Sequence, residues 1–264
     1  MKTSNFDNFE IEHLSPSSIG LFISNPAKWC FKYLYKEKDT AGPSAWRGSV
    51  VDSACGKFFG LHENQITSVS LAKCQVEAIE NMNQLLDHEK ANGNIVDEDK
   101  FRKEIELVPD YIRTAIGFYD ELQKDKYVKP IDYQKKVIYE DEDLPIPIEG
   151  WLDFEYEDCI RDIKTVSRTP SDMSSRIKRQ LSLYAYTTNK KAYADFIICT
   201  RTKNDVVSEA NRSLNELKKG AFAIEKFISI SKDVDELASF FIPDFDDWIW
   251  SDEEKDKAKK LWRL

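Results

Sequence analysis

Two carboxylates and one amine stand close together in the middle of the chain. Asp153 lies in an apolar-rich run over 147–156, and Asp162 and Lys164 lie in a second such run over 159–166. Only two residues separate the runs, which is typical of two antiparallel strands joined by a tight turn. Asp153 and Asp162 are then equally far from the centre of the turn. The alternation of side chains along a strand places both of them, with Lys164, on one face.

This arrangement predicts a site for a divalent cation. Carboxylates directly opposite each other across a ladder have Cβ atoms roughly 4.5–5.5 Å apart, which costs stability unless a positive charge lies between them. Magnesium and manganese ions accept carboxylate oxygens, waters and substrate phosphate as ligands. Lys164 could then orient water or neutralise charge that develops on phosphorus. The spacing alone leaves open the alternative of an acidic hairpin with a solvated lysine beside it.

A third carboxylate comes from a predicted helix, which we expect to begin at Ser44 and to include the segment WRGSVVDSACGKFFG. Gly48 and Asp52 are four residues apart in this helix and therefore lie on the same side of it. A glycine inside a helix costs about 1 kcal/mol relative to alanine, and close packing would justify that cost. The Asp52 carboxylate would then face the same site as the helix backbone at Gly48. An exposed aspartate on an amphipathic helix is the alternative.

Positive charge near the hairpin is concentrated in the next predicted helix, which we expect to start within residues 169–172. Gln180 and Tyr184 lie one above the other on one face of this helix. The basic residues in and before the helix could supply phosphate contacts, or they could form a solvated face. They are Lys164, Arg168, Arg176, Lys178 and Arg179.

Length and composition describe one main domain with a peripheral appendage. The chain has 264 residues, of which 41% are hydrophobic and 32% are charged. It has no apolar run near the roughly 20 residues that span a bilayer and no signal-peptide pattern, so we expect a cytoplasmic protein without a membrane segment. Its five cysteines form no Cys-x-x-Cys pair, which argues against a structural zinc site and a disulfide framework. The net charge of -9 disfavours bulk attraction to nucleic acid, so DNA binding requires a local basic surface or a bound metal.

Capping residues and periodicity predict the remaining elements. Helices begin at Ser15-Pro16 and Asn25-Pro26, where a cap precedes proline at the first helical position. The first residues, 1–13, are expected to be irregular or strand-like, and Pro109 is expected to kink or divide a helix. The other predicted segments are helices over 70–90, 97–123, 213–230 and 233–240, and strands over 133–140 and 194–200. The tryptophan-rich tail either packs on the domain or meets a partner.

Five segments occur in an order that resembles the RecB-like branch of the PD-(D/E)XK nuclease superfamily, which includes CRISPR-associated RecB-like exonucleases and phage and bacterial recombination nucleases. They are LSPSSIGLFISNPAKWCFKYLY, RGSVVD, EGWLDF, IRDIKT and QLSLY, and together they extend over residues 14–200. The family's Gly-x-x-Asp motif is matched by Gly150 and Asp153. Its Asp-x-Lys-Thr motif is matched by Asp162, Lys164 and Thr165. Its Gln-x-x-x-Tyr motif is matched by the Gln and Tyr of QLSLY.

The resemblance implies roles for single residues. Asp153, Asp162 and the backbone carbonyl of Ile163 would be metal ligands, and Lys164 would be the catalytic lysine. Where the family's Gly-x-x-x-His motif has histidine, this chain has Asp52, which can replace it as a ligand to a hard cation. Residues expected to contact DNA or to support the site are Arg47, Arg168, Arg176, Lys178, Arg179, Gln180 and Tyr184.

The resemblance also implies an α/β fold. Its restriction-endonuclease-like core has a central mixed sheet flanked by helices, with helical insertions near the N-terminus and in mid-chain. The nuclease domain would extend over 1–230, with an insertion at about 69–123, and 231–264 would be a helical C-terminal appendage. The expected cofactor is Mg²⁺ or Mn²⁺. Many relatives hold an iron–sulfur cluster with one early and three late cysteines, but after Tyr184 only Cys199 remains, so no cluster is expected.

The implied activity is metal-dependent hydrolysis of DNA, most simply an exonuclease that processes DNA ends in recombination, repair or phage replication. The alternatives are a nuclease-fold subunit that has lost its chemistry and binds or scaffolds DNA, and a structure-specific endonuclease. The implied partners are DNA and a single-strand annealing or recombination protein, in the cytoplasm of a bacterial or phage-infected cell.

Overall fold

Five strands form one mixed sheet in the computed structural model, which describes residues 4–38, 41–61, 68–126 and 129–264. The strands are β1 (Asp132–Tyr139), β2 (Ile148–Glu155), β3 (Cys159–Thr165), β4 (Lys191–Ile198) and β5 (Arg201–Val206). Their order in the sheet is their order in the chain. β3 and β4 are parallel, whereas each of the other neighbouring pairs is antiparallel. The hairpin of β2 and β3 thus lies in the middle of the sheet.

Helices cover both faces of this sheet. They are α1 (Pro16–Ser24), α2 (Pro26–Trp29), α3 (Pro43–Phe59), α4 (Leu71–Ala91), α5 (Glu98–Lys126), α6 (Ser175–Thr188), α7 (Ala210–Ile228), α8 (Val234–Ala238) and α9 (Asp252–Trp262). A short 3₁₀ turn at Asn5–Phe9 precedes them, and a π-helical turn at Cys30–Leu34 continues α2. None of the described helices combines the length and the apolar character that crossing a bilayer requires.

Two apolar cores separate the layers. One core, which includes Leu152, Ile160 and Leu181, joins the sheet to α1, α6 and α7. The other, which includes Phe154 and Ile163, joins the opposite face to α3, α4 and α5. The molecule is therefore an α/β structure whose mixed sheet lies between helical layers, as the sequence predicted.

Most predicted helix starts are confirmed by their caps. The Ser15 hydroxyl accepts a hydrogen bond from the Ser18 N–H, Asn25 accepts one from Lys28, and Ser70 accepts one from Lys73. Each bond satisfies a backbone donor that the first turn of a helix leaves without an intrahelical partner.

Three predicted starts differ from the structure. α7, predicted from about residue 213, begins at Ala210. α3 begins at Pro43, which occupies the first helical position after Gly42, and the Ser44 hydroxyl instead donates to Glu104 Oε1 at 2.7 Å. α6 begins at Ser175 rather than within 169–172, because the Ser174 side chain caps it. A neighbouring side chain therefore caps α6, whereas no side chain caps α3, which begins with proline at its first position.

Two further predictions need correction, and one strand was not predicted. The lead-in, expected to be irregular or strand-like, contains the 3₁₀ turn at Asn5–Phe9, and its described residues meet the sheet through an isolated bridge between Leu14 and Ile148. α5 is not divided at Pro109: it continues through that residue, whose neighbours Val108 and Ile112 are buried in the second core. Burial along α5 thus outweighs the loss of one helical hydrogen bond. β5 was not predicted, since its sequence RTKNDV is polar and lies at the edge of the sheet.

Candidate functional site

The β2–β3 hairpin has the predicted register, but its ladder is shorter than expected. Phe154 pairs with Arg161, next to the pair formed by Glu155 and Ile160. Asp153 and Asp162 would follow in the same register, yet the backbone pairing stops before them. Beyond the end of the ladder a side chain provides the acceptor: Asp153 Oδ2 accepts a hydrogen bond from the Ile163 N–H at 2.6 Å. Asp153 is therefore fixed to β3 by its carboxylate.

Asp162 and Lys164 form an ion pair beside Asp153. Asp162 is 1% exposed, and its Oδ2 lies 2.6 Å from Lys164 Nζ. Burial by itself would lower the pKa of Lys164, but the charges of Asp162 and Asp153 more than offset it and leave that pKa raised. Lys164 therefore carries its positive charge at neutral pH.

Helix α3 brings Asp52 to the same place. Its Oδ2 accepts hydrogen bonds from the Tyr133 hydroxyl at 2.9 Å and from Gln134 Nε2 at 2.8 Å. Its Oδ1 is buried and has no hydrogen-bond partner in the described part of the chain. Burial raises the pKa of Asp52 to about 6, although the two hydrogen bonds lower it and the charge of Asp162 raises it further.

The three carboxylates influence one another. Burial raises the pKa of Asp153 well above its usual range, and the charges of Asp162 and Asp52 raise it further. Within the described ranges no three acidic, histidine or cysteine side chains form a ready-made metal cluster. The amide of Gln134 lies between Asp52 and Asp153, and Lys164 is paired with Asp162. Even so, the residues fit a hard divalent cation, because they offer carboxylate oxygens, one of which is buried without a partner, and their mutual repulsion would be relieved by positive charge.

Helix α3 meets the end of β3 at Gly48. A Cβ atom there would lie 3.4 Å from Thr165 Oγ1, at the edge of ordinary contact distance, so the two elements are close without requiring glycine at this position. Arg47, the preceding residue, is 4% exposed, pairs with Glu104 and donates to the Thr165 carbonyl at 3.4 Å. Its guanidinium also lies 4.4 Å from the centre of the Tyr111 ring. This placement agrees with support of the site rather than with contact to DNA.

The Gln-x-x-x-Tyr pair of α6 is attached to β2. The buried Tyr184 hydroxyl donates to the Trp151 carbonyl at 2.6 Å and accepts from Gln180 Nε2 at 2.9 Å. A Cβ atom at Gly150 would lie 2.7 Å from Tyr184 Cε1, closer than real Cβ atoms approach. Gly150 therefore allows the Tyr184 ring to support β2 three residues before Asp153.

A cavity of about 420 Å³ opens beside Lys164 and is also lined by Arg176, Gln180, Ser17 and Ser174. Ser17 lies in the first turn of α1, and Ser174 is the N-cap of α6. The N-terminal ends of two helices therefore face this space together with two basic side chains. Both features favour an anionic group.

The remaining basic residues do not form one surface. Arg179 is 8% exposed and lies 3.5 Å from Glu216 of α7, so it is neither a solvated residue nor part of the cavity. Lys178 is half-buried in α6, whereas Arg168 is exposed in the loop after β3.

Two features of the site were missed by sequence reasoning. Arg161 and Asp195 form a buried ion pair at 2.7 Å across β3 and β4, and the Tyr119 hydroxyl donates to Asp195 at 2.8 Å. The sequence contains a signal for this pair, because Arg161 and Asp195 carry opposite charges in two apolar-rich strands. Gln134 is the second feature, and nothing distinguishes it in the sequence YQKKVIYE from an ordinary surface residue of a strand.

Comparisons with known proteins identify a family and a similar fold. A model of the PD-(D/E)XK nuclease superfamily matches residues 13–238. The crystal structure of a "Putative exonuclease" from Eubacterium rectale is similar, with a TM-score of 0.51 and 12% sequence identity over 96% of this chain and 90% of that chain. The crystal structure of SSO0001 aligns with a TM-score of 0.33 and 11% identity over 67% of this chain and 84% of that chain. None of the curated protein sequences compared matches this chain.

Proposed function

This chain belongs to the PD-(D/E)XK nuclease superfamily, and from that membership we propose that it is a divalent-metal-dependent deoxyribonuclease that degrades DNA from its ends. The observation that carries the proposal is the meeting of Asp52, Asp153 and Asp162 with Lys164 at one place. The name of the Eubacterium rectale protein supports the exonuclease form. A role in recombination, repair or phage replication follows from the resemblance to RecB-like nucleases.

The three carboxylates have distinct tasks in this proposal. The Ile163 N–H fixes Asp153, and the Tyr133 hydroxyl fixes one oxygen of Asp52. The buried Oδ1 of Asp52 remains available to a cation. Together with Asp162 and the carbonyl of Ile163, they would hold Mg²⁺ or Mn²⁺. Such a cation polarises the scissile phosphate and lowers the pKa of an attacking water.

In this proposal Lys164 acts as a charged donor. The charges of Asp162 and Asp153 raise its pKa, which favours the protonated ammonium. The ammonium is held 2.6 Å from Asp162 Oδ2 and is a quarter exposed, so it can also donate to an oxygen of the scissile phosphate. This contact stabilises the negative charge that increases on phosphorus in the transition state.

The cavity beside Lys164 would receive the DNA backbone. Arg176 and the N-terminal ends of α1 and α6 offer positive charge to a phosphate next to the acids. A local site of this kind is required, because the chain as a whole carries a net charge of -9.

The test uses purified protein with end-labelled linear, closed circular and single-stranded DNA, with magnesium, manganese or EDTA. We expect linear DNA to be degraded only with metal. Asp162→Asn and Lys164→Ala should each lower the rate by about 10²-fold or more, because they remove charge from the reacting centre. Asp158→Asn, in the exposed turn of the same hairpin, is the matched control and should retain the wild-type rate. Full activity of both site variants, each folded, would remove the catalytic assignment.

A second candidate is a subunit that binds DNA without cleaving it. It is favoured by Asp52 at the position of the family histidine and by the hydrogen bonds that already engage one of its oxygens. Manganese calorimetry separates the two candidates, because a site that has lost its chemistry should show no tight, carboxylate-dependent binding. Cleavage of the closed circular substrate would instead indicate an endonuclease.

A further inference from the structure

Gln134 interrupts an otherwise regular strand. In β1, Tyr133 pairs with Phe154 and Lys135 pairs with Leu152, so the register with β2 is the same on both sides of Gln134. Gln134 itself faces Asp153 and is skipped by the ladder. Its φ of 50° lies in the left-handed region, which residues other than glycine adopt rarely and keep only where their surroundings hold them there.

The unusual backbone accompanies a specific side-chain position. The Nε2 atom of Gln134 lies 2.8 Å from Asp52 Oδ2 and 3.1 Å from Asp153 Oδ1, and it donates to both. One amide therefore joins the carboxylate of α3 to the carboxylate of β2. The residue of β1 with the left-handed backbone is thus the one whose side chain is held between two acids.

The other end of this amide is a carbonyl oxygen. Rotation by about 180° about the last torsion of a glutamine exchanges Nε2 and Oε1 with almost no change in the shape of the side chain. Carboxamide oxygens are ligands that hard divalent cations accept, whereas the N–H groups would compete with a cation for the two carboxylate oxygens. A cation between Asp52 and Asp153 would therefore favour the rotated amide.

We propose that Gln134 is a further ligand of the divalent cation: its carboxamide holds Asp52 and Asp153 at their present spacing and turns to present Oε1 when the cation binds. The proposal rests on the metal dependence of the proposed nuclease. It adds to the three carboxylates a neutral ligand from β1, a strand that carries none of the sequence motifs.

Two substitutions separate a ligand from a structural tether. Gln134→Ala removes both the donor and the oxygen. Gln134→Glu removes the donor but keeps an oxygen at the same distance from the backbone and adds negative charge. A tether would be lost in both variants, so both would bind metal weakly. A ligand would be lost only in Gln134→Ala, while Gln134→Glu would bind a divalent cation at least as tightly as the wild type, even though an added acid should lower its stability without metal.

The experiment is calorimetric titration with manganese in the absence of DNA. We expect Gln134→Ala to weaken manganese binding by about 10-fold or more, the size of effect found when residues around a metal site are removed. Gln134→Glu should match or exceed the wild-type affinity. Gln75→Ala is the matched control, because Gln75 is also half-buried and donates one amide hydrogen bond, to the Pro109 carbonyl at 2.8 Å outside the acid site. It should bind manganese as the wild type does.

The inference is overturned if Gln134→Ala binds manganese like the wild type, if Gln134→Glu loses as much affinity as Gln134→Ala, or if the wild type binds no manganese. DNA hydrolysis is measured separately. An active wild type with unchanged affinity in Gln134→Ala keeps the proposed function and rejects the ligand. An inactive wild type with the expected order of affinities rejects the nuclease and keeps the ligand.

Discussion

At the scale of single residues, the buried carboxylate of Asp52 lowers the stability of the folded protein at neutral pH. The folded-state pKa of Asp52 is raised to about 6, above the value of about 3.9 that an aspartate has in an unfolded chain. Between these values the folded state binds more protons than the unfolded state, so stability decreases as the pH rises from about 4 through about 6. The free energy lost above that range is mainly the cost of burying an ionised Asp52, to which the charge of Asp162 adds.

Asp52→Asn should therefore stabilise the protein in EDTA at pH 8. The asparagine carbonyl can still accept from the Tyr133 hydroxyl, while the buried charge is removed. We expect a gain of about 1–3 kcal/mol in the free energy of unfolding at pH 8, which decreases as the pH falls through about 6 and is lost below about 4. Urea unfolding at pH 4 and pH 8 measures it. A variant less stable than the wild type at pH 8 would contradict the assignment, and Asp158→Asn should follow the wild-type pH dependence.

The sequence indicated the acids of this site but not their neighbours. Asp153, Asp162 and Lys164 follow from the alternation of two short strands, which depends on local spacing alone. The hydrogen bond from the Ile163 N–H to Asp153 depends on where the ladder ends, and the position of Gln134 depends on a left-handed backbone. Neither feature leaves a periodic signal. The proposed roles of these residues remain predictions until activity and metal binding are measured.

At the scale of elements, α6 supports the strand that carries Asp153. The Tyr184 ring occupies the space that a Cβ atom at Gly150 would need. The Tyr184 hydroxyl donates a hydrogen bond to the carbonyl of Trp151, the next residue of β2. The sequence identified Gln180 and Tyr184 as neighbours on one helical face, because that relation is set by the helical repeat. The contact with β2 could not be predicted from the same pattern, since it depends on how the layers pack. The polar edge strand β5 was missed because it has no apolar face.

Gly150→Ala tests this support. The added Cβ would lie 2.7 Å from a carbon of the Tyr184 ring, so the ring or β2 must shift. We expect the free energy of unfolding to decrease by about 1–3 kcal/mol, as for other overpacked sites, and DNA hydrolysis to decrease because Asp153 moves with β2. Gly117→Ala is the matched control: a Cβ there meets nothing within 4 Å, and alanine should stabilise α5 by up to about 1 kcal/mol. Wild-type stability and activity in Gly150→Ala would show that the contact is not needed.

At the scale of the whole molecule, the C-terminal segment is joined to the N-terminal helices. Glu254 Oε1 of α9 lies 2.6 Å from Lys28 Nζ of α2, and both side chains are almost fully buried. The Lys28 ammonium also lies 4.7 Å from the Trp250 ring centre, and the Trp262 indole donates to the Ala238 and Phe241 carbonyls. From the sequence, the tryptophan-rich tail could either pack on the domain or meet a partner. Trp250 and Trp262 pack on the domain, whereas Trp248 is 88% exposed.

Glu254→Ala should destabilise the whole protein and not only its last helix. The substitution removes the carboxylate that compensates a buried ammonium, and it also removes the acceptor of the Ser251 N–H at the start of α9. Breaking a buried ion pair in this way costs about 3–5 kcal/mol. Glu253→Ala, one residue earlier, is the comparison. It removes a carboxylate whose Oε1 lies 2.8 Å from Lys257 Nζ. Because that ion pair is only partly buried, its loss should cost less than about 1 kcal/mol. Urea unfolding of both variants measures the difference.

If 231–264 were a separable appendage, Glu254→Ala would instead give an early transition of the tail and leave the main transition at the wild-type midpoint. One shifted transition would show that the tail and the sheet fold as a unit, because Lys28 belongs to a helix that continues into the core shared with the sheet.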